Sequence, residues 1–238
     1  MTTSNLVLIF DTETTGLLSK NDGIEGQPFI IQFSFVIFDM GTFEIKKKFN
    51  EYIKIEPSIE IKPIITEITG ITREICDNKG IPIENAIMEF YDAYISCRFL
   101  VAHNISFDKK MILIELKRNI HKIYPVNPNI LSLFNDVFNY MNGIEEYCTM
   151  NFGKNICNIM LEKKNVPKVT NVFTNQPIIQ KNVNTETKTN QFKKNPKLSE
   201  LHEFLFGFCP LNLHDSLVDS IVCLKCFLKM RFNSDIVL

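Results

Sequence analysis

The chain has 238 residues, of which 45% are hydrophobic and 22% are charged, as in one or two globular domains with a buried core. Its 26 lysines and arginines against 27 aspartates and glutamates give a formal net charge of -1, which excludes both a uniformly basic protein that coats nucleic acid and an acidic disordered tail. Any binding of a polyanion must therefore be local.

The sequence predicts four strands, all in the first half of the chain. The first is continuously apolar and branched, as in a buried strand, and the second alternates around aromatic residues. Gly41 supplies the turn between the second and third strands, so that the first three form a meander. The predicted strands cover residues 5–10, 28–39, 42–55 and 98–102.

Helical patterns fill most of the remaining chain. The first has a break at residues 80–82, and the second carries Asn104 as its N-cap. Three early strands, a fourth strand and helices on both sides predict one α/β domain over residues 1–238, built on a mixed sheet. The predicted helical segments are 63–96, 103–120, 128–140, 150–162, 198–206 and 215–231.

Residues 163–197 form a segment rich in Lys, Asn and Thr and interrupted by prolines, which we interpret as an inserted loop or mobile hairpin within the domain. It holds eight lysines and one glutamate. Such a segment is either a solvated loop or a basic strip that attracts a phosphate backbone without reading its sequence.

No stretch of the sequence approaches the roughly 18 uncharged apolar residues that a membrane helix needs. The apolar start at residues 6–10 has no basic flank and continues directly into Asp11 and Glu13, unlike a signal peptide. We therefore expect neither a signal peptide nor a membrane anchor, and no membrane partner.

Seven cysteines, an odd number in a chain of this length, favour reduced thiols and a cytoplasmic or nuclear location. The spacing of Cys223 and Cys226 fits half a zinc site or a redox pair, but the apolar helical run around them favours packing on one buried face. The bias towards Asn, Ile and Lys, with no Trp, indicates an AT-rich genome such as that of a large DNA virus or a protist.

Four carboxylates lie at the ends of apolar elements or inside them. Asp11 and Glu13 are two residues apart, so on an extended backbone they point to the same side of the sheet and repel each other unless a cation lies between them. Asp108 follows the fourth strand, and Asp219 lies in the apolar last helix. Such hard oxygen ligands suit Mg²⁺ or Mn²⁺ and not zinc.

Each of these residues also has a purely structural interpretation. Asp11 fits a turn cap, Glu13 a solvated loop charge, Asp108 a first-turn acid favoured by the helix dipole, and Asp219 a surface helix residue. Taken together these interpretations are weak, because Asp11 ends a buried strand and a lone charge in the run around Asp219 would be costly.

His214 precedes Asp219 by five residues, which on a regular helix would leave the two roughly 140° apart. If Asp215 is the N-cap, His214 falls on the preceding loop and can reach the same pocket from there. A neutral imidazole at such a place can take a proton from water. The alternative is an ordinary capping or loop residue.

Three segments resemble, in order and spacing, the three motifs of the DEDDh family, the proofreading-subunit-like 3′-5′ exonucleases of the ribonuclease-H-like superfamily. These segments are FDTETTG at 10–16, VAHNISFD at 101–108 and LHDSLVDS at 213–220. PKLSELHEFLFG at 196–207 and GIT at 70–72 also resemble segments of that family, so the likeness spans residues 5 to 231. The resemblance implies a ribonuclease-H-like α/β fold with a mixed central sheet of about five strands flanked by helices.

The resemblance also implies the roles of the site residues. Asp11, Glu13, Asp108 and Asp219 would bind two Mg²⁺ or Mn²⁺ ions, with Asp11 bridging them, and His214 would be the general base. The residues that match the family's nucleotide-binding positions are Thr12, Thr14, Gly16, Leu17, Asn104 and Phe107. Leu17 and Phe107 fit a core position equally well.

The leading hypothesis is a 3′-5′ exonuclease that releases nucleoside 5′-monophosphates from single-stranded or frayed DNA ends, in proofreading or in DNA degradation. The first alternative is an RNA exonuclease of the same family. The second is a catalytically silent module that binds nucleic acid or a polymerase. This alternative predicts the loss of at least one ligand residue, whereas all five residues are present in the sequence. The partners implied are nucleic acid 3′ ends and, in addition, a polymerase or a second copy of the chain.

Overall fold

The computed structural model describes residues 5–162 and 191–236. Its strands are β1 (Leu6–Thr14), β2 (Ile30–Asp39), β3 (Glu44–Tyr52), β4 (Phe99–Ala102), β5 (Glu145–Cys148), β6 (Met160–Glu162) and β7 (Gln191–Lys193). Its α-helices are α1 (Pro63–Thr69), α2 (Arg73–Lys79), α3 (Ile83–Ser96), α4 (Ile105–Arg118), α5 (Ile120–Ile123), α6 (Asp136–Asn142), α7 (Thr149–Cys157), α8 (Leu198–Phe206) and α9 (Ser216–Phe232). Short 3-10 helices cover Ile24–Gly26 and Pro128–Ser132.

The main sheet has the order β3-β2-β1-β4-β5. β1, β2 and β3 form an antiparallel meander, whereas β4 and β5 run parallel to β1. The predicted mixed five-stranded α/β architecture is therefore confirmed. Because β4 and β5 run parallel to β1, the C-terminal ends of these three strands meet at one edge of the sheet.

Helices cover both faces of the apolar first half of β1. Val7 and Ile9 pack with α9 on one face, while Leu8 and Phe10 pack with α3 and α4 on the other. All four side chains are fully buried, which explains the continuous apolar run at the start of the sequence. The outer strand β3 instead exposes lysines, which protect a sheet edge from pairing with another chain.

The structure corrects several predicted elements. β1 does not end at Asp11 but continues to Thr14, so both acidic residues are part of the strand. The predicted helix at 150–162 ends at Cys157, where Asn158 adopts a left-handed conformation, and residues 160–162 form a strand. β5 was not predicted, because its sequence EEYC is short and begins with two acids.

The helix after β4 begins with Asn104 at the N-cap position, as predicted. The Asn104 side chain, however, makes no capping hydrogen bond to the helix, and its backbone is left-handed with φ of 71°. Its Oδ1 accepts a hydrogen bond from Ser106 Oγ instead. Asn104 therefore shapes the turn between β4 and α4, because asparagine tolerates this backbone conformation better than most residues.

The predicted insertion at 163–197 falls mostly outside the described residues. Of its last residues, Gln191–Lys193 pair antiparallel with Met160–Glu162, so β6 and β7 form a separate two-stranded ribbon. A single domain over residues 1–238 stays a prediction, as does a role for the lysines at 163–188.

Cys223 and Cys226 are 2% and 0% exposed, as the prediction that they pack on one buried face of α9 requires.

Among the described residues, no helix is both long and apolar enough to cross a lipid bilayer.

The connection between β1 and β2 is held in place by one buried arginine. Arg118, near the end of α4, donates hydrogen bonds to the carbonyl oxygens of Ile24, Gln27 and Pro28. The same guanidinium forms an ion pair with Glu115 at 2.9 Å, and both side chains are more than nine-tenths buried. The loop that carries residues 15–29 is thereby fixed to α4.

Candidate functional site

Two carboxylates project from the C-terminal half of β1. Asp11 and Glu13 alternate with Thr12 along the strand and therefore lie on the face that carries Val7 and Ile9 and packs against α9. Both side chains are only partly exposed. The strand thus presents two adjacent acids towards the start of α9.

Thr12, on the opposite face of β1, holds the third carboxylate. Asp108 lies in the first turn of α4 and is 2% exposed. Its Oδ1 accepts hydrogen bonds from the Thr12 backbone N–H at 3.1 Å and from Thr12 Oγ1 at 2.8 Å. These two bonds bring the start of α4 to the end of β1 and fix the orientation of the Asp108 carboxylate.

The fourth carboxylate and the histidine come from the start of α9. Asp215 is the N-cap, as predicted, and accepts hydrogen bonds from the backbone N–H groups of Leu217 and Val218. His214 precedes the cap in a left-handed conformation with φ of 73°. Its backbone N–H donates to Asp219 Oδ2 at 3.2 Å, so the turn folds back over the first turn of α9.

The structure brings all five predicted catalytic residues together. A carboxylate oxygen of Glu13, one of Asp219 and a ring nitrogen of His214 all lie within 4.8 Å of one another. Asp11 interacts electrostatically with Asp108, Asp219 and Glu13. Because His214 is exposed while the carboxylates lie deeper, the histidine forms the rim of the site and the acids form its floor.

Burial and nearby negative charges raise the pKa of each of the four carboxyl groups. Burial is the main cause for Asp11, whose pKa lies well above its usual value, and the charges of Asp108, Asp219 and Glu13 add to it. Burial followed by the charge of Asp219 raises the pKa of Glu13 to about 8. Burial raises the pKa of Asp108 to about 7 despite the Thr12 hydrogen bonds, and that of Asp219 to about 6.

The donor set fits divalent metal ions. Four carboxylates converge, and among the described residues no lysine or arginine forms an ion pair with any of them. Asp219 Oδ1 is buried and has no hydrogen-bond partner, so one ligand atom is unsatisfied without a cation. Hard oxygen donors of this kind are preferred by Mg²⁺ and Mn²⁺.

These raised pKa values predict that the metal-free protein loses stability as the pH rises from about 4 to 8. In that window the folded chain holds protons on carboxyl groups that are already ionised in the unfolded chain. Each unit by which the pH rises therefore lowers the free energy of unfolding. Urea denaturation in chelator at pH 5.5 and 8 measures this, and Glu13→Gln should reduce the loss. Equal loss in wild type and variant would contradict the assigned cause.

A divalent ion should reverse this loss because it binds only the folded state. At about 100 times its Kd, Mn²⁺ adds roughly 2.7 kcal/mol, or a Tm increase of roughly 5–10 °C for a chain of this size. The increase should be larger at pH 8 than at pH 5.5, where protons compete for the same oxygens. Thermal melts with and without Mn²⁺ at both pH values provide the comparison.

The predicted nucleotide-binding positions after Asp11 divide into buried and exposed ones. Thr12 and Thr14 are 6% and 8% exposed, and Thr14 Oγ1 donates to the carbonyl oxygen of Gly16 at 2.7 Å. Leu17 is 86% exposed, so it is not a core residue. The exposed side chain of Leu17 therefore lies next to a turn that the hydrogen bond between Thr14 and Gly16 stabilises.

The two predicted positions on the second motif lie on either side of the start of α4. Asn104 is partly exposed and forms the left-handed turn before the helix. Phe107 is partly buried and packs against the core cluster between the sheet and α3 and α4. Phe107 thus contributes to the core while part of its side chain stays exposed.

Sequence reasoning missed two polar side chains in the middle of β2. Gln32 and Ser34 are 1% and 0% exposed, and the strand register places them opposite Glu13 and Asp11. The available signal was their position at alternate residues in an otherwise apolar strand, since buried polar groups need a partner.

Comparisons with known proteins bear on this site. The family model described as RNase_T exonuclease matches residues 8–171, more than half of the chain. The chain is 31% identical over 133 residues to the DNA polymerase III subunit epsilon of Buchnera aphidicola, which covers 53% of the chain and 52% of that protein. It is 32% identical over 111 residues to the 3'-5' exonuclease DinG of Bacillus subtilis, which covers 47% of the chain and 11% of DinG. The chain therefore matches about half the length of one relative and a small part of the other.

Solved structures share the fold at low sequence identity. Exonuclease I of E. coli, in complex with a dT13 oligonucleotide, superimposes with a TM-score of 0.62 at 16% identity, covering 96% of this chain and 42% of that one. The nuclease domain of 3'hExo, a DEDDh family member bound to rAMP, gives a TM-score of 0.55 at 16% identity and covers 98% and 94%. The ribonuclease-H-like fold is thus confirmed, and the match to the family model shows that the chain belongs to the RNase_T exonuclease family.

Proposed function

We propose that the chain is a divalent-metal-dependent 3′-5′ exonuclease that releases nucleoside 5′-monophosphates from single-stranded or frayed DNA ends. The observation that carries this proposal is the convergence of Glu13, His214 and Asp219 within 4.8 Å beside Asp11 and Asp108. A histidine at the rim of a carboxylate cluster supports hydrolysis of a phosphodiester.

The four carboxylates would hold two Mg²⁺ or Mn²⁺ ions. When bound, these ions supply an acidified water and stabilise charge on the departing 3′ oxygen. His214 is the group that accepts the proton of the attacking water, because its imidazole is exposed and next to the acids. Thr12 keeps the Asp108 carboxyl group oriented through two hydrogen bonds, so this ligand group is in position before substrate binds.

The turn after β1 would contact the terminal nucleotide. Leu17 projects into solvent, and packing against a base would bury its apolar surface. Arg118 fixes the connection that contains this turn, which limits its motion before binding. Asn104 and Phe107, at the start of α4, would contact the next nucleotide.

The DNA preference is supported by the sequence relatives. Those that exceed 30% identity carry names of DNA polymerase III chains or of DinG. By the same argument a polymerase is the proposed protein partner. RNA is the second candidate, because a solved structure titled as the 3'-end specific recognition of histone mRNA stem-loop by 3'-exonuclease has a TM-score of 0.58 with this chain at 15% identity.

A labelled-substrate assay tests the proposal. Linear DNA and RNA of one sequence, labelled at the 3′ or 5′ end, and a circular single-stranded DNA would be incubated with Mg²⁺ or with chelator. We expect a labelled mononucleotide to be released at once from 3′-labelled DNA, a shortening ladder from 5′-labelled DNA, and an intact circle. Cleavage of the circle, or activity in chelator, would contradict the proposal, and faster RNA cleavage would favour the second candidate.

A further inference from the structure

The start of α9 is bound to β2 by a buried polar network centred on Gln32. Gln32 Nε2 donates to Asp215 Oδ2 at 3.1 Å and to Asn50 Oδ1 at 2.9 Å, and Gln32 Oε1 accepts from the Ser216 N–H at 3.3 Å. The amide orientation follows from these partners, because the reverse would place an oxygen against the Asp215 carboxylate. Three of its hydrogen-bonding positions are therefore used.

A second set of hydrogen bonds lies beside the first, two residues further along β2. Ser34 Oγ donates to Asn50 Oδ1 at 2.7 Å and lies 2.5 Å from Ser216 Oγ. Both serine side chains are fully buried. Two hydroxyl groups and two side-chain amides thus connect β2 and β3 to the N-cap and the first residue of α9.

This network lies directly beside the proposed catalytic residues. The register of the sheet pairs Gln32 with Glu13 and Ser34 with Asp11. Asp215, which Gln32 holds, caps α9 and immediately follows His214. The left-handed turn at His214 is therefore held on one side by its N–H bond to Asp219 and on the other by the bond between Gln32 and Asp215.

We infer that Gln32 is a positioning residue of this site, which acts through Asp215 to hold the His214 turn over Glu13 and Asp219. This inference rests on the proposed function. The neutral amide is essential, because a carboxylate at this position would face Asp215 and its strand partner Glu13 and add like charge to a repelling cluster. An apolar residue would leave Asp215 Oδ2 without its donor.

The test compares Gln32→Met, which keeps length and removes all three hydrogen bonds, with Lys48→Met as the matched control. Lys48 is an exposed side chain of β3 and lies outside the network. We expect Gln32→Met to lower kcat roughly 10- to 100-fold, because small displacements of catalytic groups are costly, while KM stays within about threefold. Lys48→Met should keep kcat within about threefold of wild type.

A repair variant separates positioning from loss of stability. Gln32→Glu alone should lower kcat at least as much as Gln32→Met. Combining Gln32→Glu with Asp215→Asn exchanges the carboxylate and the amide, so one hydrogen bond between the two positions forms again with no added charge. We expect the double variant to recover at least tenfold in kcat over Gln32→Glu. No recovery, together with equal thermal stability of both variants, would overturn the inference.

Amide hydrogen exchange tests the inference without any activity. In Gln32→Met the amides of Leu217 and Val218, which Asp215 caps, should exchange about tenfold faster, while the later turns of α9 keep the wild-type rate. If the wild type cuts no substrate but this local change occurs, the proposed function fails and the structural role of Gln32 remains. Unchanged exchange and unchanged kcat in Gln32→Met would refute the positioning role alone.

Discussion

Replacing Asp11 by Asn should lower the rate of cleavage at least roughly 10³-fold while the chain remains folded. Loss of a metal ligand removes several kcal/mol of transition-state stabilisation, and each 1.36 kcal/mol corresponds to about tenfold in rate. Folding should persist because the substitution removes one of four repelling carboxylates. In chelator at pH 8 we therefore expect the Tm of Asp11→Asn to equal or exceed that of the wild type.

The rate is best measured in a single turnover of a 3′-labelled oligonucleotide at saturating Mg²⁺, with circular dichroism melts on the same samples. Asp92→Asn is the matched control, because Asp92 is an exposed acid on α3, away from the face of the sheet that α9 covers. It should cleave at the wild-type rate. More than about a tenth of wild-type activity in Asp11→Asn would remove Asp11 from the set of ligands.

Replacing His214 should lower kcat by roughly 10²- to 10⁴-fold with little change in nucleic acid affinity, the usual contribution of a general base. His214→Asn is preferable to His214→Ala, because the backbone at this position is left-handed and asparagine tolerates that conformation. It also retains the backbone N–H that donates to Asp219. Any loss then belongs to the missing imidazole.

Kinetics of cleavage and fluorescence anisotropy of a labelled strand would give kcat and affinity separately. His121→Ala, at an exposed histidine of α5, serves as the control and should be silent. The structure assigns the cap of α9 to Asp215, so a capping role no longer explains His214. Near-wild-type kcat in His214→Asn would leave His214 as an ordinary loop residue.

The sequence singled out Asp11, Glu13 and Asp219 as candidate ligands because these residues break a strong local pattern, whereas the roles of the full set came from the resemblance to the DEDDh family. Asp11 and Glu13 interrupt a buried strand, and Asp219 interrupts an apolar helix, so burial of charge made them conspicuous. The sequence placed His214 off the helix only on the condition that Asp215 is the N-cap, which the structure shows. Local signals of this kind do not depend on knowledge of distant contacts.

Other features depend on contacts between distant parts of the chain and could not be predicted. β1 continues to Thr14 because β2 pairs along its whole length, whereas the sequence DTET alone reads as a loop. β5 is a strand because β4 pairs with it, although its first two residues are acids. The role of Gln32 follows only from its register opposite Glu13 and from the position of Asp215.

The exposure of Leu17, a predicted nucleotide-binding position, could not be predicted from the sequence either. Leucine at position 17 gave no indication of exposure, since an apolar side chain is usually assigned to the core. The structure leaves it 86% exposed at the turn after β1. Residue type alone thus does not decide which apolar residues remain exposed.

Calorimetric titration of Mn²⁺ into the metal-free protein at pH 8 tests the central claim that the carboxylate cluster is a metal site. We predict two bound ions per wild-type chain, loss of at least one in Asp219→Asn, and unchanged binding in Asp92→Asn. Proton uptake by the buffer should accompany binding, because the raised pKa of Glu13, about 8, leaves protons for the ions to displace. A folded wild-type protein that binds no Mn²⁺ at millimolar concentration would contradict the account.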